Sequence, residues 1–281
     1  MATLRKLIAR NQGNRGVGFD PAYVGPLVDA DGRLNFERRF YDSTAVTSTP
    51  VDAVVCRHVI EHIPQPATLV SAIRQALERS SSARIYFETP CAEWIMRNRV
   101  IWDLFYEHCS LFTAGSLTTL FARCGFDVTR VRHLFGGQYL WLEATLSASR
   151  DVPLDGGAMP ALCASFARDE ARQLAAWRER IAVLRGRGPV ALWGAAAKGV
   201  TFADLLDREC ETIDCLVDLN PGKQGRFVPG TGHPIVDFRD LKSRGVRSAI
   251  LMNPNYEEEN RGLIRDASLD VSLYSEDLSC A

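Results

Sequence analysis

The sequence predicts an α/β protein with two doubly wound parallel sheets, and three observations lead to this prediction. Strand-like and helix-like stretches alternate from residue 16 to about 147, which is typical of a mostly parallel sheet covered on both faces. Periodicity is then lost over residues 148–163, where prolines and glycines cluster, before the alternation restarts in a shorter assembly. We therefore expect three segments: a first domain over 1–147, a linker with a bridging helix over 148–188, and a second α/β domain over 189–281.

The first segment carries a local signal for each of its elements. Apolar residues at helical spacing predict helices over MATLRKLIAR, over the stretch that follows Pro64, and over SLTTLFARCGF (116–126), which Gly125 ends. Apolar runs predict strands over GVGFDP (16–21), VDAVVCRHV (51–59), ARIYFETP (83–90), DVTRVRHLF and QYLWLEATL (138–146). We expect the 51–59 strand to be buried and the 138–146 strand to return as an edge strand.

The remaining segments repeat the pattern on a smaller scale. Residues 167–188 predict an amphipathic helix that ends in glycines. The last segment predicts a strand, a glycine-started turn and a helix over PVALWGAAAKGVTFADLL (189–206), a strand ending in Asp218, and a strand that runs into a helix over VRSAILMNPNYEEE (246–259). We expect this segment to fold as a second βαβ assembly.

Composition and charge exclude several classes of partner. The chain has 281 residues, of which 46% are hydrophobic and 24% charged, and its net charge of −1 gives no electrostatic reason to expect nucleic acid or an acidic membrane. A signal peptide and an apolar run of about 18 residues are not visible, so we expect a cytoplasmic location. Eight cysteines occur without a CxxC pair, so we expect free thiols and predict no metal site.

Polar residues follow two of the strands predicted in the first segment. Asp20 ends one strand, where a carboxylate could accept hydrogen bonds from a ribose; the alternative is an aspartate that starts an ordinary turn before Pro21. Arg57 and His58 end the next strand and would point into the same crevice, with His58 either beside a cofactor or structural. We expect the Glu61 and His62 that follow to cap the next helix.

Two further stretches carry groups that suit chemistry. WDLFYEHCSLFT (102–113) places Tyr106, Glu107 and His108 side by side among apolar residues, which suits a histidine to general-base work. The alternative is a buried Glu–His pair that ties a loop to the core. GAAAKG (194–199) enters a helix with free N–H groups and Lys198, and polar residues follow it: Asp218, Lys223, Gln224, Arg226 and His233. This pattern predicts a nucleotide- or phosphate-type crevice, unless the small residues only permit close strand–helix packing.

Taken together, these motifs resemble the class I S-adenosylmethionine-dependent methyltransferases that methylate a carbon of a nucleotide-linked keto-sugar. GVGFDP and VVCRHVIEHIPQP are similar to the second- and fourth-strand motifs of that superfamily. More specific are FYEHCSLFTAGSL and GGQYLWLEA, with the C-terminal-domain motifs WGAAAKGVTF, VDLNPGKQGRFVPGTGHPI and LMNPNY. The resemblance spans residues 16 to about 260 and implies a Rossmann-like methyltransferase sheet plus a smaller Rossmann-like α/β C-terminal domain.

The resemblance also implies a mechanism and a set of site residues. A base would remove the acidic proton beside the sugar ketone, and the enolate carbon would take the methyl of S-adenosylmethionine. The implied catalytic residues are the base His108 and its neighbours Tyr106 and Glu107. The implied cofactor residues are Asp20 on the ribose, and Cys56, Arg57 and His58 on the methionine side. The implied substrate residues are Gly194, Lys198 and Lys223.

The sequence departs from the family pattern at its beginning. It has no cysteine-rich zinc module, and no first strand with a glycine-rich loop precedes GVGFDP. That strand would lie between the strands that end at Asp20 and Cys56, so we expect the sheet to lack it. Two explanations stay open: the start of the reading frame lies further upstream, or the chain is a shortened copy with weak activity. The alternatives are an O- or N-methyltransferase of another small metabolite, and a non-catalytic protein that binds a nucleotide-sugar. The sugar, the methylated carbon and the oligomeric state do not follow from the sequence.

Overall fold

A computed structural model of the chain describes residues 2–45, 50–153 and 156–275. The strands are β1 (Gly16–Phe19), β2 (Val28–Asp29), β3 (Leu34–Glu37), β4 (Ala53–Arg57), β5 (Arg84–Pro90), β6 (Phe126–Leu134), β7 (Tyr139–Leu146), β8 (Val190–Trp193), β9 (Cys215–Val217), β10 (Ile235–Val236), β11 (Ser248–Leu251) and β12 (Ser272–Ser275). The helices are α1 (Ala2–Ala9), α2 (Pro66–Ala76), α3 (Ala92–Asn98), α4 (Ala114–Arg123), α5 (Met159–Arg185), α6 (Ala197–Leu206) and α7 (Glu257–Asp266). None of the helices in these ranges has the length and apolar character needed to span a membrane.

The chain divides into two compact units, and the division is not a single cut in the sequence. Unit 1 consists of Met1–Glu88, Leu117–Val131 and Leu142–Pro153, and unit 2 consists of Thr89–Ser116, Arg132–Trp141 and Leu154–Ala281. The boundaries fall inside β5, β6 and β7. The division into domains 1–147, 148–188 and 189–281 stays a prediction, and the structure assigns residues 89–116 to unit 2.

Unit 1 begins with a helix packed on a small sheet. β1 pairs with β3 in parallel and β2 pairs with β3 in antiparallel fashion. A methyl group at Gly16 would lie 2.9 Å from Leu4 Cδ1, so the absence of a side chain at Gly16 lets α1 approach β1 closely. The helix and the strand predicted for residues 1–21 are confirmed. The core of this part consists of Ile8, Tyr23, Leu34 and Phe36.

The other strands of the first half form a separate sheet in the order β4-β5-β7-β6. β1 and β4 therefore do not share a sheet, although the alternation of elements predicts one sheet. Two predictions are wrong here. β7 lies between β5 and β6, so it is not an edge strand. β4 is not fully buried, because Ala53, Val55 and Arg57 alternate with half-buried residues and face solvent.

Unit 2 contains a five-stranded sheet in the order β10-β9-β8-β11-β12, with every pair parallel. β8, β9 and β11 are buried along their whole length, as expected for central strands covered on both faces. The βαβ assembly predicted for this segment is confirmed. The helix predicted over 167–188 is longer and begins at Met159, where Pro160 occupies a first-turn position that proline tolerates.

Candidate functional site

Asp20 lies directly after β1, as predicted. Its backbone N–H donates to the Glu37 carbonyl at 3.0 Å, and its Oδ1 accepts the N–H of Ala22 at 2.9 Å. The second hydrogen bond closes a local turn, which agrees with the alternative that Asp20 starts an ordinary turn before Pro21. The half-buried carboxylate is therefore held at the carboxyl end of a parallel strand, where it has the acceptor chemistry that a ribose hydroxyl requires.

At the end of β4, two basic side chains converge on one buried carboxylate. Arg57 Nη2 donates to Glu88 Oε1 at 2.7 Å, and His58 Nε2 lies 2.8 Å from the same oxygen. Glu88 is 2% exposed and lies opposite Arg57 in the β4–β5 register. The sequence analysis missed Glu88, although a glutamate inside the apolar strand ARIYFETP was a signal for a buried polar partner.

His58 contacts a second buried carboxylate. Its Nδ1 lies 3.4 Å from Glu61 Oε1, and Glu61 is 1% exposed. The hydrogen bond to Glu61, followed by the negative charges of Glu61 and Glu88, raises the pKa of His58 against the opposing effect of burial. Glu61 therefore pairs with His58. The helix that Glu61 and His62 were expected to cap is α2, whose N-cap position is Gln65, so neither residue occupies that cap. Burial, reinforced by Glu61, raises the pKa of the Cys56 thiol to about 12.

These contacts decide how well the cofactor residues fit S-adenosylmethionine. Asp20 has the acceptor chemistry that a ribose ligand needs. Arg57 and His58 supply the positive charge that a methionine carboxylate would need, but both are already paired with buried glutamates. The residues present fit the nucleoside end of the cofactor better than its methionine end, and the roles of Asp20, Cys56, Arg57 and His58 stay predictions.

Tyr106, Glu107 and His108 lie in an irregular loop of unit 2. A loop was expected because three adjacent residues of a regular helix or strand cannot all face the same way. The His108 N–H donates to the Phe105 carbonyl at 3.2 Å, and the two rings meet edge to face with centroids 4.6 Å apart. Tyr106 is 99% exposed and Glu107 is also exposed, whereas His108 is half-buried. The apolar neighbours therefore shield His108 and leave Tyr106 and Glu107 in water.

The turn after β8 combines both interpretations of GAAAKG. Gly194 has φ +127°, which favours glycine, and a methyl group at Gly199 would overlap the Gly194 carbonyl oxygen. The small residues thus permit close packing. The turn also meets Lys223, whose Nζ donates to the Ala195 carbonyl at 3.1 Å and to Asp218 Oδ2 at 2.8 Å. In the sheet order β10-β9-β8-β11-β12, β9 and β10 lie on one side of β8, and β11 and β12 lie on the other, so the order of the strands reverses between β8 and β11. Ligands of such parallel sheets bind beyond the carboxyl ends of the strands at this point.

The other polar residues predicted for this crevice are divided between different partners. Lys198 Nζ lies 2.9 Å from Asp103 Oδ2. His233 is fully buried, with Nε2 2.9 Å from Asp207 Oδ2 and Nδ1 2.8 Å from Thr231 Oγ1. Asp207 also accepts the N–H groups of Glu211, Thr212 and Ile213. This histidine is therefore an internal tie between two loops, which the sequence analysis did not detect.

Two family models match the chain. Residues 3–131 match a methyltransferase domain, and residues 159–263 match the C-methyltransferase C-terminal domain. The chain is also similar to the C-methyltransferase NovU of Streptomyces niveus, with 25% identity over 275 residues. That match covers 89% of this chain and 64% of NovU, so the chain spans 64% of the length of this relative.

Several solved structures resemble part of the fold. One is the pyocyanin biosynthetic protein PhzM, with 18% identity, a TM-score of 0.38, and coverage of 51% of this chain and 46% of PhzM. Another is the W203A mutant of a 16S rRNA (adenine(1408)-N(1))-methyltransferase from Catenulisporales acidiphilia with cosubstrate SAM. It has 19% identity, a TM-score of 0.39, and coverage of 53% of this chain and 81% of that one.

The two family models occur in the order that the motifs predicted. Methyltransferase domains of the first kind take the methyl group from S-adenosylmethionine, and the second domain is named for methylation at carbon. The resemblance to methyltransferases with the C-methyltransferase C-terminal domain is therefore confirmed, and the nucleotide-linked keto-sugar stays a prediction. The chain therefore carries a methyltransferase domain followed by the C-methyltransferase C-terminal domain.

Proposed function

We propose that the chain methylates a carbon of a nucleotide-linked keto-sugar. The observation that carries the proposal is the location of the candidate base: the loop with His108 belongs to the same compact unit as the C-methyltransferase-type sheet. A base beside the substrate is what methylation at carbon requires, because a C–H carbon becomes a nucleophile only when it loses its proton.

The chemistry assigned to the chain's own residues is a proton transfer. His108 accepts the proton from the carbon next to the ketone, and the C–H electron pair moves into the enolate, whose oxygen gains negative charge. Tyr106 donates its hydroxyl proton in a hydrogen bond to that oxygen, and Glu107 orients the histidine. S-adenosylmethionine supplies the electrophilic methyl group that this carbon takes, and Asp20 accepts hydrogen bonds from its ribose.

The nucleotide of the substrate belongs at the carboxyl ends of β8 and β9. Gly194 leaves room for close approach, and Lys223 offers an ammonium group that a diphosphate can share with Asp218. Lys198 was predicted to join them, but a substrate phosphate would have to compete with Asp103 for its ammonium group.

Calorimetric titration with S-adenosylmethionine tests the cofactor site. We expect binding by the wild-type chain and at least about 10-fold weaker binding by Asp20→Asn, since a bonded acceptor is lost. Asp151→Asn is the matched control, because Asp151 is a carboxylate of unit 1 with a side chain 93% exposed. Equal affinities for all three proteins would remove Asp20 from the site.

Solvent exchange of the substrate's α-proton tests the reaction class. With thymidine-diphosphate-4-keto-6-deoxyglucose as the probe, we expect deuterium incorporation by the wild type, loss in His108→Ala, and retention in His133→Ala, which changes an exposed histidine of the same unit. Unchanged exchange in His108→Ala would remove His108 as the base. Absence of exchange in the wild type would contradict the enolate mechanism and favour methylation at oxygen or nitrogen.

A second candidate function is nucleotide-sugar binding without catalysis. It is favoured by the separate sheets of β1 and β4, which divide the predicted cofactor residues between two sheets. Binding of thymidine diphosphate without binding of S-adenosylmethionine would support this candidate over the methyltransferase.

A further inference from the structure

A shielded ion pair joins the start of α6 to the turn before the His108 loop. Lys198 lies in the first turn of α6, and Asp103 ends the 3-10 turn Ile101–Asp103. Lys198 Nζ is 2.9 Å from Asp103 Oδ2, and the two side chains are only 14% and 10% exposed. The ammonium group also lies 5.7 Å from the centre of the Trp94 ring, within the range of a cation–π contact.

The same turn is also held on its apolar side. Trp102 is 2% exposed and packs edge to face against Trp177, with centroids 5.6 Å apart, and against Phe202, with centroids 5.0 Å apart. Phe202 lies on α6, one turn after Lys198. One helix therefore contacts adjacent residues of the turn, through an aromatic ring at Trp102 and an ion pair at Asp103.

A buried ion pair is poor evidence of stabilisation, since desolvation offsets its attraction and an apolar pair of similar size often serves as well. What such a pair supplies is a defined geometry. The position it defines here is the entry to the loop, because Leu104 and Phe105 follow Asp103 directly and the Phe105 ring packs against His108.

We propose that Lys198 is a positioning residue, which acts through Asp103 on the loop that carries His108. This inference rests on the proposed role of His108 as the base. It assigns the ammonium group of Lys198 to the protein's own carboxylate, whereas the sequence assigned it to the substrate.

The first test needs no ligand. The chain has five histidines, and a His108→Asn variant assigns the ring signals of His108 in a ¹⁵N-histidine NMR spectrum. We expect Lys198→Met and Asp103→Asn to shift these signals, and Lys198→Arg to shift them less, because it keeps the charge. Asp204→Asn is the control, since Asp204 pairs with Arg208 on the exposed side of the same helix. His108 signals that do not move in Lys198→Met would overturn the inference.

The second test separates positioning from substrate binding. We expect Lys198→Met to lower kcat and the α-proton exchange rate by about 100-fold, the loss typical of a misplaced catalytic group, with KM unchanged. Lys198→Met/Asp103→Asn should be about as slow as the single variant, because both changes remove the same pair. A raised KM in Lys198→Met, with a normal KM in Asp103→Asn, would show that Lys198 binds substrate instead.

Outcomes for the two proposals are distinguishable. If the wild type shows no exchange, the proposed function fails whatever the Lys198 variants do. If the wild type exchanges and His108→Ala does so equally, His108 is not the base and the positioning role fails with it. If His108→Ala loses exchange and Lys198→Met keeps it, only the positioning role fails. Should Lys198→Met fold poorly, the same measurements on Asp103→Asn decide. Shifted His108 signals with a lower kcat and an unchanged KM would support the positioning role, and unmoved signals with a normal kcat would contradict it.

Discussion

At the scale of single residues, His58 combines an unusual backbone conformation with two buried partners. Its φ of +52° lies in the left-handed region, which costs a non-glycine residue about 1–2 kcal/mol. Its ring nitrogens lie near Glu61 and Glu88, so the strained backbone is what places one imidazole between two carboxylates. Strain maintained by such contacts points to a functional position.

This arrangement predicts how stability depends on pH. The folded-state pKa of His58 is raised above its ordinary value of 6.5. The protonated His58 therefore stabilises the folded state fully below pH 6.5, and this stabilisation is lost as the pH rises through the folded-state pKa. His58→Asn removes the titration and keeps a residue that tolerates positive φ. We expect hydrogen exchange of the β4 and β5 peptides to differ between the two proteins more at about pH 5.5 than at about pH 8.5. A difference that grows with pH would contradict this assignment.

The cysteines provide a second residue-scale prediction. Burial raises the pKa of Cys56 and of Cys215 to about 12, so both remain protonated thiols at neutral pH. Only the thiolate is an effective nucleophile. In native protein treated with iodoacetamide at about pH 8, we expect the exposed Cys109 and Cys163 to be alkylated first, and Cys56 and Cys215 only after unfolding. Peptide mass spectrometry measures the order, and early alkylation of Cys56 would show that its environment is more open.

At the scale of elements, the entry into α6 depends on two glycines. Gly194 supplies a positive φ, and Gly199 leaves the Gly194 carbonyl without an obstructing methyl group. α6 can therefore approach β8 closely enough for Lys198 and Phe202 to reach the turn at residues 101–103. Gly262 is different, because a methyl group there would have nothing closer than the Arg265 side chain at 3.9 Å.

We therefore expect opposite effects from two helix glycines of unit 2. Gly199→Ala should destabilise this unit by about 1–3 kcal/mol through overpacking. Gly262→Ala should stabilise it by about 0.5–1 kcal/mol, because alanine reduces the entropy cost of the α7 helix. Urea unfolding followed by tryptophan fluorescence measures both, since all five tryptophans lie in unit 2. Equal stabilities would show that α6 shifts without cost.

Individual elements were largely predictable because their signals are local, as in the proline start of α2 and the glycine entry to α6. The neighbours of a strand were not predictable in the same way. β6 and β7 follow each other in sequence, and nothing in their residues shows that β7 inserts beside β5. Strand order is set by which apolar faces pack together, and this depends on residues distant in the chain.

At the scale of the whole molecule, the boundaries of the two compact units differ from the boundaries of the two matched domains along the sequence. Trp102 lies in the stretch matched to the methyltransferase domain, yet it belongs to the core of unit 2 with Trp177 and Phe202. The loop of the candidate base therefore shares its structural support with the C-terminal sheet.

Trp102→Ala should consequently affect unit 2 and spare unit 1. We expect a loss of about 3–5 kcal/mol, the usual cost of removing a large buried aromatic side chain. Hydrogen exchange should rise in peptides from α5 and α6 and stay unchanged in those from β1 and β3. Faster exchange in β3 would mean that the two units unfold together, contrary to the division of contacts.

The sequence by itself determined the α/β class, most strands and helices, and the family, because these depend on local periodicity and on short motifs such as FYEHCSLFTAGSL. Only the tertiary structure decided that β1 and β4 lie in separate sheets, that Glu88 joins Arg57 and His58, and that Lys198 faces Asp103. The physical reason is the same in each case. A charged group or a strand edge pairs with a partner that is distant in the sequence, and the residues next to it in the sequence do not show which partner that is.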